Sequence, residues 1–412
     1  MKPATLLRLA PLRTLASALA MLTCPALASD WPQFRGPDSA GTAPGVTIPA
    51  KPKIDWTAPL PGRGLASPIV VGDKVFVTCS SGPQQERLHL ICFNATDGAK
   101  IWERQLRATG RTMSHPKTSI AACTPCSDGQ RVFALWSCND VAAFDLAGNL
   151  LWTRGLTADY PNASNSLGMA SSPIALGETL VTMIENDSES YALGLDVKTG
   201  RNLWKLDRPK VANWCSPVSW RADANAAPVA VLQSAKGLLA VDPASGSRLW
   251  EYGEGASTMS SSVVSAGVIY APSNGLTALV PQTSGAAPTQ LWRAKQFNPS
   301  TISPLVLGGL VFSINSAGVL TTADVKTGDA GWKLRLTGPF SSSPVGAGGR
   351  LFTVNEKGLV QVVDTAAPEG AVLGELQLPL REETKELILC TPALSRSHVF
   401  LRTDSALWRL GE

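Results

Sequence analysis

One hydrophobic grammar recurs along most of the chain. A Ser or Thr followed by Pro opens a short apolar run, a Gly-containing turn follows, and then comes an alternating segment. Examples are VFVTC from Val75, VFALW from Val132, LVTMI from Leu180, VIYAP from Val268, VFSIN from Val311 and LFTVN from Leu351. These runs are rich in β-branched and aromatic residues and bounded by turn chemistry, as strands are. A further strand ends at an Asp, a Thr-Gly or Ser-Gly turn follows, and a last strand carries a Trp. Each unit therefore reads as a four-stranded antiparallel meander, and no helical periodicity appears past the first ~30 residues.

The unit repeats. Trp56, Trp102, Trp152, Trp204, Trp250, Trp292 and Trp332 are spaced by 46, 50, 52, 46, 42 and 40 residues. The Ser/Thr-Pro pairs at Ser67, Thr124, Ser172, Ser216, Ser303, Ser343 and Thr391 keep the same beat, and Ser261-Ser262-Val263 fills the gap, giving eight units. Four-stranded units at ~40–50 residues predict an all-β fold, an eight-bladed β-propeller, because one such sheet buries its faces only against its neighbours. The last unit has room for three strands, and IDWTAPL, residues 54–60, is an orphan strand before the first. The N-terminal strand is expected to complete the eighth blade. The predicted division is a leader over 1–28, an N-terminal arm over 29–52 and the propeller over 53–412.

DVKTGRNLW from Asp196, DPASGSRLW from Asp242 and DVKTGDAGW from Asp324 repeat one turn. Asp accepts hydrogen bonds from amides two or three residues on, and Gly supplies a positive φ. Gly98, Gly148, Gly200, Gly246 and Gly328 occupy that place. Trp at a fixed offset is a plate of ~150–250 Å² suited to wedging between blades, its N–H expected to meet a carbonyl of the neighbouring turn. The fifth unit inserts residues (PQTSGAAPTQLW) and the seventh has no Trp.

Lys2, Arg8 and Arg13, the apolar run 15–23 and Ala26–Ala28 form a secretory-leader pattern. The run is shorter than the ~20 residues of a spanning helix. Met21 and Thr23 make a poor lipid-attachment context for Cys24. The expected location is the periplasm or another exported compartment, without a lipid anchor. Setting the leader aside lowers the formal net charge from +4 to about +1, which speaks against nucleic acid or an anionic membrane as partner.

These residues resemble the pyrroloquinoline-quinone-like repeat of quinoprotein-type β-propellers, over about residues 53–410. The resemblance implies one of two roles. One is a quinone-dependent dehydrogenase, with pyrroloquinoline quinone and Ca²⁺ at the channel mouth and a catalytic Asp. The other is a non-catalytic propeller of the outer-membrane β-barrel assembly machine. The chain lacks a vicinal Cys pair for packing a quinone and a Cys-x-x-Cys-His haem site, and no quinone, Ca²⁺ or catalytic residue can be assigned by position. DWPQFRGPDSAG, from Asp30, resembles the N-terminal arm of exported propellers of this kind.

Candidate chemistry is sparse. The connection RATGRTMSHPKTS between the first two units holds Arg107, Arg111, His115 and Lys117 without an acid. It reads as a solvated connector or as a binding lip for an anionic ligand or acidic partner. Cys123, Cys215 and Cys390 each precede a Ser/Thr-Pro and are expected at one height around the channel. They serve as small buried residues or, alternatively, in a metal or redox role. Cys123–Cys126 has redox-motif spacing without the surrounding βαβ pattern. Cys79 and Cys92, on consecutive strands, are disulfide candidates. Three histidines do not make a zinc site, and no catalytic triad or phosphate loop is present. The function expected is a monomeric, exported, non-catalytic scaffold for an envelope protein. The alternatives are a quinone-dependent dehydrogenase and a carbohydrate- or peptide-binding propeller.

Overall fold

A computed structural model describes residues 30–163, 167–223, 225–297 and 299–412. The leader expected over 1–28 lies outside the described residues. Eight four-stranded antiparallel sheets follow one another along the chain. The first seven blades span residues 69–107, 126–155, 174–207, 218–252, 263–294, 305–335 and 345–377. The eighth takes Ala393–Ser395, His398–Arg402 and Ala406–Gly411, and its outermost strand is Lys53–Pro59 from the start of the propeller. Lys53 pairs with Gly411 and Pro59 with Ala406, so backbone hydrogen bonds join the two ends of the ring.

The apolar core follows from this arrangement. Seven clusters lie in or between blades, such as Phe76, Trp102, Val132 and Phe144 between the first two. Helical structure among the described residues is confined to connections: Leu156–Asp159 and the 3-10 turns Pro37–Ser39 and Glu382–Thr384. The first of these begins at Leu156, where the repeat pattern continues the outer strand. No helix among the described residues is long and apolar enough to cross a membrane.

The repeated turn has the expected chemistry. Asp196 Oδ1 accepts from the amides of Lys198 (3.0 Å) and Thr199 (2.8 Å), and Gly200 has φ 70°. One feature lies outside the sequence reading: in all eight blades the outermost pair carries a register shift beside the docking position. Gly194 pairs with Trp204, but Leu195 pairs with Asn202, leaving Leu203 as the extra residue of a bulge. A bulge re-aims the side chains on either side of it. Trp204 is buried as a result while Leu203 stays 47% exposed.

The disulfide candidate fails on register. Cys79 pairs with His89 and Cys92 with Phe76. An odd offset puts the two cysteines on opposite faces of their sheet, and all seven described cysteines are free thiols.

Candidate functional site

The innermost strand of each blade is an edge strand whose free backbone groups face the axis, and such edges need partners. The N-terminal arm supplies several at one end of the channel. Trp31 exchanges two backbone hydrogen bonds with Val70 of blade one, and Pro32 O accepts from Ser127 N of blade two. Gly41 and Ala43 bond both backbone groups of Gly346 in blade seven. Arg35 Nη2 donates to Pro304 O, beside the inner strand of blade six, at 2.5 Å. The turn at Pro37–Ser39 packs on the inner strands of blades four and five. The arm thus plugs that end.

Above it the Ser/Thr landmarks close into a belt. Ser67 N–H donates to Thr124 Oγ1 (3.0 Å), Thr124 to Ser172 (3.0 Å) and Ser172 to Ser216 (3.0 Å). The chain of bonds continues from Ser216 to Ser261 (3.1 Å), Ser303 (3.0 Å), Ser343 (3.0 Å) and Thr391 (3.3 Å). These seven links run around the ring and stop at the seam between Thr391 and Ser67. Each hydroxyl oxygen but that of Ser67 satisfies an edge amide of the preceding blade, which an unpartnered strand would leave costly. The following Pro has no amide to satisfy. Ser261, which no Pro follows, keeps its place, so the hydroxyl is what the position needs.

The belt walls a funnel of about 200 Å³, with Phe34 of the arm at its lower end. The residues two positions before the belt form its rim: Leu65, Ala122, Ala170, Trp214, Met259, Thr301, Ser341 and Leu389. Trp214 holds three connections together, donating Nε1–H to Gly168 O (2.9 Å) and its amide to Thr258 O (2.8 Å). Behind it lies a buried polar network. Glu185 accepts from Arg208 Nε at 2.6 Å and Asn213 Nδ2 at 2.9 Å, and Gln233 Oε1 accepts from Ser262 N at 2.8 Å. Burial raises the Glu185 carboxyl above its ordinary value against the pull of Arg208.

The three cysteines lie one residue off this rhythm. They share a level with the belt, but alternation turns them into the blades: each is at most 1% exposed and none lines the funnel. Cys215 Sγ donates to Ser257 O at 3.2 Å, and Cys390 Sγ to Arg402 O at 3.3 Å. Burial pushes the Cys123 thiol up to about 12 and Cys390 to about 11. Among the described residues no cluster of His, Cys, Asp or Glu is arranged to hold a metal.

The basic connector does not gather into one lip. Lys117 reaches over the ring to Glu356 of blade seven, Nζ to Oε1 2.7 Å. His115 turns back, Nδ1 accepting the Lys117 amide at 3.1 Å. Arg111 lines a separate shallow depression with Gln84 and Met113, and Arg107 is exposed at the end of an outer strand. Beside the funnel, Arg63, Lys117, Arg381, Lys385, Glu386 and Asp404 line a cleft of about 550 Å³, in which Arg63 Nε meets Asp404 Oδ2 at 3.3 Å. No signal in the sequence linked these residues, since they come from four separate connections.

Indole docking is regular. Trp56, Trp102, Trp152, Trp204 and Trp292 pack against Gly98, Gly148, Gly200, Gly246 and Gly328 of the following blade. Each donates Nε1–H to a carbonyl of that turn, at 2.7–3.3 Å. Trp332 packs on Gly370, a contact the Trp-free seventh turn did not suggest. Trp250 faces the enlarged fifth turn; its Nε1 is buried without a partner.

A calcium-bound quinone needs carboxylate or amide oxygens for the cation and donors or cations for its own carboxylates. The funnel wall carries hydroxyl, aliphatic, thioether and aromatic groups and no acid, amide or cation. These residues do not fit that cofactor.

Ring, docking turns and axial funnel together define a quinoprotein-type β-propeller. The family model described as outer membrane protein assembly factor BamB matches residues 48–182, 163–332 and 286–403, and the chain belongs to that family. Among solved structures it is similar to BamB from Moraxella catarrhalis, with TM-score 0.65, 14% identity, and 88% of this chain and 98% of that one covered. It is similar to a europium-containing methanol dehydrogenase at TM-score 0.67, 12% identity and 93% and 98% coverage. A quinohemoprotein alcohol dehydrogenase from Comamonas testosteroni gives 0.65, 12%, 93% and 81%. At these identities the likeness is one of fold. A polyvinylalcohol dehydrogenase from a Pseudomonas species is 27% identical over 178 residues, 39% of this chain and only 26% of that protein's length.

Proposed function

We propose that this chain is an exported, non-catalytic propeller that serves as a protein-interaction scaffold in the cell envelope, its partner a protein of the outer-membrane assembly machinery. The observation that carries this reading is the chemistry of the mouth face. Among the described residues outside the outermost strands, the exposed large apolar side chains are Met113, Leu167, Val211, Met259 and Leu387, and all sit in the connections between blades on this face. Trp214 and the cations Arg63, Arg381 and Lys385 adjoin them. Aromatic residues, Met and Arg are the types enriched where proteins meet, and connections on a rigid scaffold are where binding residues concentrate. The match to the family of outer membrane protein assembly factors supports the same partner class.

The dehydrogenase reading is favoured by one observation, the partial match to polyvinylalcohol dehydrogenase, and opposed by the donor set of the funnel. A photo-crosslinker at Met259, compared with one at Leu203 on the outer wall, tests the scaffold reading in envelope preparations. Adducts with an assembly-machinery protein from position 259 alone support it. Adducts from both positions, or from neither, overturn it. Saturable binding of pyrroloquinoline quinone with Ca²⁺, accompanied by dye-coupled alcohol oxidation, would install the dehydrogenase reading instead.

A further inference from the structure

The cleft of about 550 Å³ beside the funnel carries two cations with no acid of their own. Arg381 and Lys385 are exposed on the connection from blade seven to blade eight, and among the described residues no carboxylate pairs with either. The two acids of the cleft wall are spent on the chain itself. Glu386 accepts the Ser405 amide at 2.8 Å through Oε1 and the Arg381 amide at 3.3 Å through Oε2. Asp404 accepts the Gly64 amide at 3.0 Å through Oδ1 and Arg63 Nε at 3.3 Å through Oδ2. Lys117 is occupied by Glu356, Nζ to Oε1 2.7 Å, and Glu383, on the same connection as Arg381, does not line the cleft. Solvated cations are ordinary on a protein surface. These two differ in lining a hollow whose other end is apolar.

Cleft and funnel are parts of that one hollow, since Leu65 and Leu389 line both. The funnel, at about 200 Å³, is below the ~300–1,000 Å³ of pockets that enclose a whole small ligand. It has room for a single side chain, and its wall carries no acid, amide or cation to receive a charged one. Phe34 at its lower end and Trp214 and Met259 at its rim offer rings and a thioether, the groups against which an aromatic ring packs favourably. The exposed Leu387 lines the cleft with Arg381 and Lys385. An uncharged socket thus lies next to a pair of free cations, across a shared aliphatic wall.

We propose that funnel and cleft together take one extended, acidic segment of a protein partner. An aromatic side chain of the segment seats in the funnel, and Asp or Glu side chains a few residues along pair with Arg381 and Lys385. The inference rests on the scaffold reading and names the chemistry that the partner presents to the mouth face. The aromatic anchor supplies most of the affinity, as buried rings do at interfaces, and the exposed ion pairs select the segment's charge.

Fluorescence polarisation with the labelled peptide Glu-Glu-Gly-Phe-Gly-Glu-Glu tests it, beside one peptide with Gln for every Glu and one with Ala for Phe. The first should bind saturably. The Gln peptide, and the double variant Arg381→Gln with Lys385→Gln, should each weaken binding about tenfold at low salt, with a smaller effect at high salt. The Ala peptide should lose binding, as should Ala122→Leu, which puts a larger side chain into the funnel wall. Both cations of the double variant are exposed, so it should fold as the unaltered protein does. No saturable binding, or equal binding by the double variant, overturns the proposal. Adhesion to vesicles of anionic phospholipid that the double variant loses, with no peptide bound, also overturns it and assigns the cations to a membrane surface. Crosslinks to an assembly-machinery protein from position 259 distinguish the two failures. If they form while no peptide binds, the scaffold reading stands and the acidic aromatic segment alone is wrong; if they too are absent, both readings fall.

Discussion

Trp204 packs against Gly246 of the next blade, where a Cβ would lie 2.6 Å from the indole Cγ, and its Nε1 donates to Pro243 O at 2.7 Å. Gly246 also has φ 71°, a left-handed backbone that side chains resist. Gly246→Ala therefore combines overlap with strain, and a loss of about 1–3 kcal/mol is expected in denaturant unfolding. Gly285, whose added Cβ would meet only Leu249 O at 3.3 Å, provides the contrast. Its φ is 81°, so Gly285→Ala is strained too, but it displaces no indole and should cost less.

The indole N–H separates two otherwise similar positions. Trp204→Phe removes a hydrogen bond, whereas Trp250→Phe removes a buried donor that makes none. Losing a made bond costs about 1 kcal/mol net, and deleting an unsatisfied donor costs nothing on that account. Unfolding free energies of the two variants should differ by about that amount, Trp204→Phe being the less stable.

The ring itself was legible because each blade rewrites the same local chemistry: period-two alternation, an Asp-to-Gly turn, and Trp at a fixed offset. The strand around Trp56 was an orphan in the sequence, and in the structure it pairs with Ala406–Gly411. The belt was half visible. Ser67, Thr124 and their counterparts kept time along the chain, but their task depends on backbone amides some 40–57 residues away, which spacing alone does not reveal. The bulge before each Trp changes register without changing composition. Lys117 looked unpaired because Glu356 is 239 residues distant. Arg35 carried no signal at all, since nothing in FRGPDS says that its guanidinium is buried.

The repeated turn should make stability sensitive to acid. The Thr199 side chain holds Asp196 below its ordinary value, the Asn149 side chain does so for Asp145, and the Lys326 amide for Asp324. A depressed folded value means that the contribution is present above the unfolded value of ~3.9 and is lost as pH falls through the folded one. Unfolding midpoints should drop as pH is lowered below about 4. Asp196→Asn keeps an acceptor but no charge, so its curve should be flatter there, and an unchanged slope counts against the turn as the source.

All seven described cysteines are buried thiols. Burial raises Cys92 to about 12, and Cys79, Cys126, Cys138 and Cys215 also stand above the ordinary range. Reactivity follows the thiolate and its exposure. A thiol reagent at pH 8 should label none of them in the folded protein and all seven in denaturant. Rapid labelling of Cys123, Cys215 or Cys390 in the native state would restore the redox reading for those positions.

Ser261 is the sharpest probe of the belt. Its Oγ accepts the Ser216 amide at 3.1 Å, and its own amide donates to Ser303 Oγ at 3.0 Å. Ser261→Ala leaves the Ser216 amide buried with no acceptor while preserving the donation to Ser303. That should cost about 1–3 kcal/mol, the penalty of a stranded group. Ser261→Thr retains the oxygen, and Thr already serves at Thr124 and Thr391, so it should fold with near-native stability. Hydrogen exchange locates the effect: the Ser216 amide should lose protection in Ser261→Ala and keep it in Ser261→Thr. Equal stability of the two variants would mean that packing alone sets this position, and that the belt is incidental to the closure of the ring.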